Sequence, residues 1–361
     1  MSLRSRAGAV AALLFVGSVL ATAMSAPVTA HADCSRGGTL DASQLNAVFA
    51  SPGIGSRPGQ EGYGGGDYQH AYPLPNGRVL WLFQDMYFSD DNNLNVPLNN
   101  AAHNAGLVQD GSCFTVLGSQ GRDFIGDRLT VDSVRWFWPL DGEIGANGNL
   151  WIFMVDMYNP NGTGAGLGAA PVGTWLAELD PISLNVVSFG PAPDSGKSLY
   201  GWSVVSTDQY SYLYGHCYRQ FVNNAPGTGQ FDSTCMPSSY LARVPLGQFD
   251  VAPEYWNGTG WSPSSAAAVP VMTRGAANPM SVQWFGNVFV NVTKIDDWWG
   301  SVIYVDKAPS PQGPWQSAPA IKVLADRKCN SCGNYSAFLM PWLDSAGRMT
   351  IALSNGGDFP T

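Results

Sequence analysis

The stretch GYGGGDYQHAYPLPNGRVLWLFQDMY, Gly62 to Tyr87, decides the fold. A glycine run releases into Asp67, and an apolar strand runs to Pro73. Pro75-Asn76-Gly77 makes a turn, and a second apolar strand, Val79 to Phe83, leads to Asp85. Two strands joined by a tight Asn-Gly turn lie antiparallel, so their far ends sit side by side. The spacing therefore predicts two carboxylates at one edge of one sheet, an arrangement suited to acid–base chemistry.

The same unit recurs along the chain. HAYPLPNGRVLWLFQDMY (70–87) returns as RWFWPLDGEIGANGNLWIFMVDMY (135–158) and as GWSVVSTDQYSYLYGHCY (201–218). Two further copies are NPMSVQWFGNVFVNVTKI (278–295) and SAFLMPWLDSAGRMTIALSNG (336–356). Each is a strand, a polar turn, then a strand that stays apolar until its last residues. Helical periodicity is nearly absent, and only Ala42 to Ala50 reads as a short helix. Five such hairpins, each followed by further strand-like runs, predict an all-β fold in one domain, residues 33–361: a five-bladed β-propeller of sheets around a central channel. A two-sheet sandwich is the structural alternative. The chain stops soon after the fifth hairpin, so the last blade is expected to borrow a strand from Leu45 to Phe49 or another N-terminal piece.

If the first strand of each copy lines the channel, the residues that open it face one another around one rim. These are Asp67, Asp132, Trp202 with Ser203, Asn278, and Asn334 with Ser336. The ends of the second strands reach the same rim with Asp85, Asp156, His216, Lys294 and Asn355. A glycosidase needs two carboxyl groups, one protonated to release the leaving oxygen and one ionised to activate water or attack carbon. Asp67 and Asp85 are the expected catalytic pair. Asp132, Asp156, Trp138, Trp202, His216, Arg219, His70 and Asn278 are the expected substrate-binding residues. No Gly-x-Ser-x-Gly elbow, Walker loop, His-Glu-x-x-His motif or EF-hand loop is present. The reading requires no cofactor. The acidic channel could hold a structural Ca²⁺, although nothing in the spacing demands one.

Composition narrows the partners. Charged residues make up 12% of the chain and the formal net charge is -9, with no basic patch, which excludes nucleic acid and anionic membranes as natural partners. Trp and Tyr beside many amide and hydroxyl groups suit a neutral polar ligand such as a sugar. Residues 1–32 read as a secretory signal peptide: Arg4 and Arg6, an apolar run from Ala7 to Met24, and Ala30-His31-Ala32 as the cleavage pattern. The mature chain is then expected to be a soluble monomer, secreted or associated with the cell wall, with no membrane insertion. All six cysteines lie in the mature part, so disulfides are expected. Cys217 with Cys235 brackets one loop. Cys329 and Cys332 could close a tight loop, which leaves Cys34 with Cys113. A redox or zinc role for that Cys-x-x-Cys pair lacks the surrounding pattern it needs.

Several of these residues carry a family resemblance. Gly66-Asp67, leading through Pro75-Asn-Gly-Arg to Trp81-Leu-Phe-Gln-Asp85, resembles the first-blade signature of the five-bladed propeller glycoside hydrolases. It is most similar to the actinobacterial, mycobacterial-type endo-D-arabinanase family. Tyr240-Leu-Ala-Arg243-Val-Pro, Tyr255-Trp256-Asn-Gly-Thr-Gly-Trp261, Asn278-Pro-Met-Ser-Val and Ala308-Pro-Ser-Pro-Gln-Gly-Pro-Trp315 extend the resemblance over nearly the whole mature chain. It implies cleavage of a furanoside polymer such as arabinan or arabinogalactan, with Asp67 and Asp85 matching the family's catalytic carboxylates. Two departures stand out. The family's Phe-Gly-Asp step reads Phe-Gln-Asp85, and no Glu stands near the third-blade rim, where related arabinanases carry their acid. Glu61, Glu143, Glu178 and Glu254 lie elsewhere in the repeat. The rival class is a catalytically silent propeller that binds glycan or an exported protein through the same face.

Overall fold

A computed structural model describes residues 34–51, 53–90, 101–126, 134–159, 169–194, 198–217, 220–221, 231–232, 238–273, 280–294, 302–322 and 334–355. The chain is a five-bladed β-propeller. From the channel outward, blade one is His70–Pro73, Val79–Phe83, Ala105–Asp110 and Cys113–Leu117, all antiparallel. Blade two is Arg135–Ile144, Leu150–Tyr158, Ala170–Leu179 and Val186–Pro191. Blade three begins with Ser198–Ser206, Tyr210–Cys217 and Ser238–Pro245, and continues into Glu254–Trp256 and Trp261–Ser262. Blade four is Ser281–Trp284, Phe289–Lys294 and Val302–Ala308, with Gln316–Ser317 and Ile321–Lys322 both pairing onto its third strand. Blade five shows Asn334–Leu343 and Met349–Asn355.

The second strand of the first hairpins reads as an unbroken apolar run because each blade is buried on both faces, as strands sandwiched between layers are. Leu80 and Leu82 pack toward blade two with Met154, Ala177 and Leu179. Trp81 and Phe83, the alternate residues, pack the other way with Phe49 and Trp342. The turns repeat as chemistry too. Gly77 N–H donates to Leu74 C=O, Gly148 to Gly145 and Gly347 to Asp344, each over 2.9 Å. These three glycines have φ of 81°, 84° and 72°, a backbone region that side chains other than Asn and Asp rarely enter.

The five inner strands touch in ring order. His70–Pro73 meets Arg135–Ile144, which meets Ser198–Ser206, which meets Ser281–Trp284. That strand meets Asn334–Leu343, which returns to His70–Pro73. Adjacent inner strands belong to different sheets and share no ladder, so side chains stitch each junction. Gln84 Nε2 donates to Pro139 C=O (3.3 Å) and Tyr72 Oη to Leu140 C=O between blades one and two. Asp141 accepts from Val204 N–H (2.8 Å) and Glu143 from Ser206 N–H (3.1 Å) between two and three. Ser203 Oγ bonds both Val282 N–H (2.9 Å) and Val282 C=O (3.2 Å) between three and four. Leu339 N–H donates to Ser281 Oγ (2.8 Å) between four and five, and Tyr68 N–H to Ser354 Oγ (2.9 Å) closes five onto one.

That closure corrects the expected strand exchange. Leu45 to Phe49 is no strand: Ala42–Phe49 is an α-helix, started by Asp41 in a capping box with Gln44. Phe49 lodges against Tyr63 and against Trp81, Phe83 and Phe114 of blade one rather than reaching blade five. Among the described residues, no N-terminal strand pairs with Met349–Asn355. The N-terminal arm is tied to blade one by the Cys34–Cys113 disulfide. The expected Cys217–Cys235 and Cys329–Cys332 pairings, and the signal peptide, fall outside the described residues.

Candidate active site

Asp67 and Asp85 lie side by side at the mouth of the channel. Their backbones bond directly, Asp67 N–H to Asp85 C=O at 3.1 Å and Gln84 N–H to Asp67 C=O at 3.0 Å. Asp67 Oδ1 also accepts the Asp85 N–H at 3.0 Å. The glycine run makes this approach feasible. A Cβ on Gly66 would sit 2.9 Å from Phe83 Cδ1, closer than atoms tolerate, and a tight 3.0 Å from Asp85 O. The next residue, Tyr68, has φ of 48°, an uncommon setting for a bulky side chain and a mark of a position held by its surroundings. Its ring is buried, 5.8 Å from Phe338 of blade five and 6.4 Å from Trp202 of blade three.

Asp85 is the more elaborately held of the two acids. Its Oδ1 accepts from Trp138 Nε1 on blade two at 3.0 Å and from His103 Nδ1 at 2.8 Å. The Asp85 side chain remains 27% exposed, whereas that of His103 is 4% exposed. His103 stacks on Trp136 with ring centres 4.6 Å apart and planes 17° from parallel. Its backbone N–H donates to Asp123 Oδ1 at 2.8 Å. Neighbouring Asn104 is fully buried and bonds Phe137 C=O at 2.8 Å, which fixes this turn against blade two. Burial acts to lower the His103 pKa. The hydrogen bond to Asp85 and the charges of Asp85, Asp123 and Asp67 outweigh it and hold the imidazole above its ordinary 6.5. Tyr87 is pushed up to about 12 by burial and by the charges of Asp85 and Asp67.

The other expected residues separate into distinct settings. Trp138 serves Asp85 directly. Asp156 is buried and gripped bidentately by Arg135, Nε to Oδ1 at 2.6 Å and Nη2 to Oδ2, so its carboxylate is spent inside the protein rather than offered to a ligand. His216 is buried, neither ring nitrogen has a partner among the described residues, and burial lowers its pKa to about 4. His70 is also buried, with Nε2 unpartnered among the described residues and its pKa lowered to about 3 by burial. It lies 4.5 Å from the Phe338 ring inside the channel. Trp202 is buried beside Tyr68. Asp132, Arg219 and Asn278 lie outside the described residues.

Sequence reading passed over His103 and Asp141. Asp141 lies deeper than the rim, level with His70, in a cavity of about 20 Å³ that also touches Trp202, Ser281 and Gln283. That volume holds about one water molecule and no sugar. Three inner strands bulge at this depth, between Pro139 and Gly142, Tyr200 and Ser203, and Leu339 and Leu343. Bulges re-aim side chains, and the first carries Asp141. Its Oδ1 and Oδ2 accept from Gly142 and Val204 N–H, both at 2.8 Å. Burial, seconded by the charge of Glu143 and opposed by these hydrogen bonds, lifts its pKa to about 7. Among the described residues no group of three or more His, Cys, Asp and Glu could hold a metal ion.

The family model described as domain of unknown function DUF5005 matches residues 58–359. The chain belongs to that family. No curated protein matches it. Among solved structures, the DUF5005 chain resembles "a putative hydrolase" from Bacteroides ovatus, with a TM-score of 0.60 and 16% identity over 86% of this chain and 82% of that one. Lower likenesses include an alpha-L-arabinofuranosidase from Podospora anserina in complex with cellotriose, at TM-score 0.43 and 10% identity over 80% and 81% of the two chains. A GH43_1 enzyme from Xanthomonas citri complexed with xylotriose gives 0.45 and 16% over 87% and 93%. At these identities the likeness is one of fold. Asp67, Asp85, His103 and Trp138 all lie within the part of the chain that the DUF5005 model matches, whereas the disulfide-bound arm before residue 58 lies outside it.

Proposed function

We propose that this protein is a glycoside hydrolase that uses Asp67 and Asp85, exported to act on a furanoside-containing polysaccharide of arabinan or arabinogalactan type. The observation that carries the reading is the pairing itself: two carboxyl residues bonded backbone to backbone at the mouth of a propeller channel, one of them still 27% exposed. In the proposed roles Asp85, whose Oδ1 accepts from His103 and Trp138, is the carboxylate that activates water or attacks the anomeric carbon. Asp67 supplies the proton to the leaving oxygen. The indole of Trp138 borders the same carboxylate and offers an apolar face for a sugar ring. The apolar leader and the Cys34–Cys113 disulfide support export, and the sequence resemblance supports the furanoside substrate.

The rival reading, a silent propeller, draws on one fact: Asp67 spends an oxygen on the Asp85 N–H, as a strand-end cap would. Incubation of the secreted protein with arabinans, arabinogalactan and xylan separates the two. Release of reducing ends by the wild type, and its loss in Asp67→Asn and Asp85→Asn, supports hydrolysis. Binding that persists in all three proteins with no product from any polymer assigns the rim to recognition alone.

A further inference from the structure

We propose that His103 is the positioning residue of the site: its Nδ1, together with Trp138 Nε1, clamps one oxygen of Asp85 and presents the rest of that carboxylate to the channel mouth. The reading of the site as hydrolytic is the ground on which this assignment rests. His103 is no surface histidine that happens to lie nearby. Its ring is stacked on Trp136, its backbone is held by Asp123, and the next residue anchors the turn to blade two. Three independent contacts therefore fix where Nδ1 points.

The same geometry excludes a direct catalytic role. Nε2 is buried and bonds no described residue, and the nitrogen on the side of the mouth, Nδ1, is engaged by Asp85, so the ring acts through that carboxylate. What His103 can do is carry charge. Aspartates surround it, with Asp85 on the hydrogen bond, Asp123 behind the backbone, and Asp67 one step further along the rim. Blade two faces it with Trp136 and Trp138, neither of which titrates. These carboxylates favour the imidazolium, against the burial that disfavours it. With His103 protonated a positive charge sits directly on Asp85, whereas the Arg135 guanidinium of blade two is engaged by Asp156. With His103 neutral, Nδ1–H still donates to Asp85, but the charge that offsets the crowded carboxylates is gone. Orientation of Asp85 is then independent of pH, whereas the electrostatics of the pair depend on it.

Two measurements test this on the intact mature protein. The first is independent of substrate. The mature chain holds only three histidines, His70, His103 and His216, so the imidazole C–H resonances can be titrated individually by NMR. The His103 midpoint is expected above the ordinary 6.5, falling in Asp85→Asn because burial remains while its main counterweight is removed. A midpoint that ignores Asp85→Asn overturns the proposal even if the protein proves to be a hydrolase. The second uses whichever polymer the wild type cleaves. His103→Phe keeps the stack on Trp136 and deletes the donor, and kcat is expected to drop roughly 10- to 100-fold with little change in KM, the usual cost of losing an outer partner that orients a functional group. His103→Gln restores a donor that cannot titrate, so it should recover most of kcat while losing the alkaline limb of the pH profile. Equal damage in both variants, at unchanged thermal stability, counts against positioning. If no polymer is cleaved by any protein, the hydrolytic reading fails while the NMR result still decides the His103–Asp85 coupling.

Discussion

Replacing Asp141 by Asn should make the protein less sensitive to alkali, by an amount the structure sets. Asp141 is a carboxyl whose pKa is raised from 3.8 to about 7, chiefly by burial. Between those values the folded state keeps a proton that the unfolded state has lost. Stability therefore falls as pH rises through this window, at about 1.4 kcal/mol per pH unit for one proton. From pH 5 to pH 7 the penalty comes to about 3 kcal/mol. Asn carries no charge and escapes that term. It has a single carbonyl oxygen, however, where Asp141 serves both Gly142 and Val204 N–H, and one unserved buried donor costs about 1–3 kcal/mol. Asp141→Asn is thus expected to be equal or less stable than wild type at pH 5, and to gain on it by about 3 kcal/mol by pH 7. Urea unfolding of both proteins at half-unit steps from pH 5 to 8 measures the difference. The comparison must be between variants. His70 and His216, buried and neutral, make the wild-type stability fall as pH drops below 6.5, which opposes the Asp141 slope in either protein alone but cancels in the difference. Glu143, also raised by burial, adds to the same slope in both. A stability difference that stays constant from pH 5 to 8 would falsify the view of Asp141 as a protonated stitch between blades two and three.

Three further outcomes are expected. His216→Leu removes a base whose folded pKa is depressed from 6.5 to about 4, so the variant should lose stability less steeply than wild type as pH falls from 6.5 to 4, by about 1.4 kcal/mol per pH unit; parallel urea midpoints across that range would contradict it. Gly66→Ala drives a methyl against Phe83 and the Asp85 carbonyl, and should cost about 1–3 kcal/mol in urea unfolding while displacing Asp85, with a Trp138 indole N–H resonance that shifts as its acceptor moves. An unshifted indole signal would mean that the strand absorbs the methyl elsewhere. Reducing the Cys34–Cys113 disulfide, which closes a separation of 79 residues, should lower stability by about 2–4 kcal/mol and leave ligand binding or hydrolysis at the rim unchanged below the melting temperature. Loss of rim function at full secondary structure would show instead that the arm supports the site.

The repeat was legible because propeller blades print their chemistry into the chain. Gly77, Gly148 and Gly347 mark equivalent turns, and strands buried on both faces become apolar runs such as VLWLF and LWIFMV. The Asp67–Asp85 pairing was legible for the same reason, since a hairpin's register is fixed by its turn. The features that escaped arise from contacts with no periodic signature. His103 reaches Asp85 from a turn between Ala101–Ala102 and Ala105–Asp110, outside every repeated hairpin. Asp141 turns into the channel at a bulge, and a single extra residue in a strand leaves no trace in an apolar pattern. Asp156 stands where the repeat places it, yet Arg135, at the start of the paired strand, closes on it. The short helix expected at Ala42 to Ala50 is Ala42–Phe49, and Asp41 followed three residues later by Gln44 is the signature of its start.

Rim and channel therefore do different work, and the division bears on how a polymer can engage. Tyr68, Trp202 and Phe338 meet across the channel from blades one, three and five. The space they leave, beside His70 and Asp141, accommodates about one water. On the proposed reading a ligand engages Asp67, Asp85, Trp138 and the half-exposed Arg135 at the rim rather than threading toward the base. The charged groups below the layer, Asp141 and Glu143, have their oxygens committed to backbone and hydroxyl donors across the blade two–three junction. Their raised pKa values follow from burial at this junction. Trp202→Ala would separate the two roles. Opening the plug enlarges the cavity by most of an indole and should cost about 3–5 kcal/mol, while the Asp85–His103–Trp138 cluster, held by its own hydrogen bonds, keeps its His103 titration midpoint. A midpoint that moves with the plug would mean that rim and channel form one electrostatic unit.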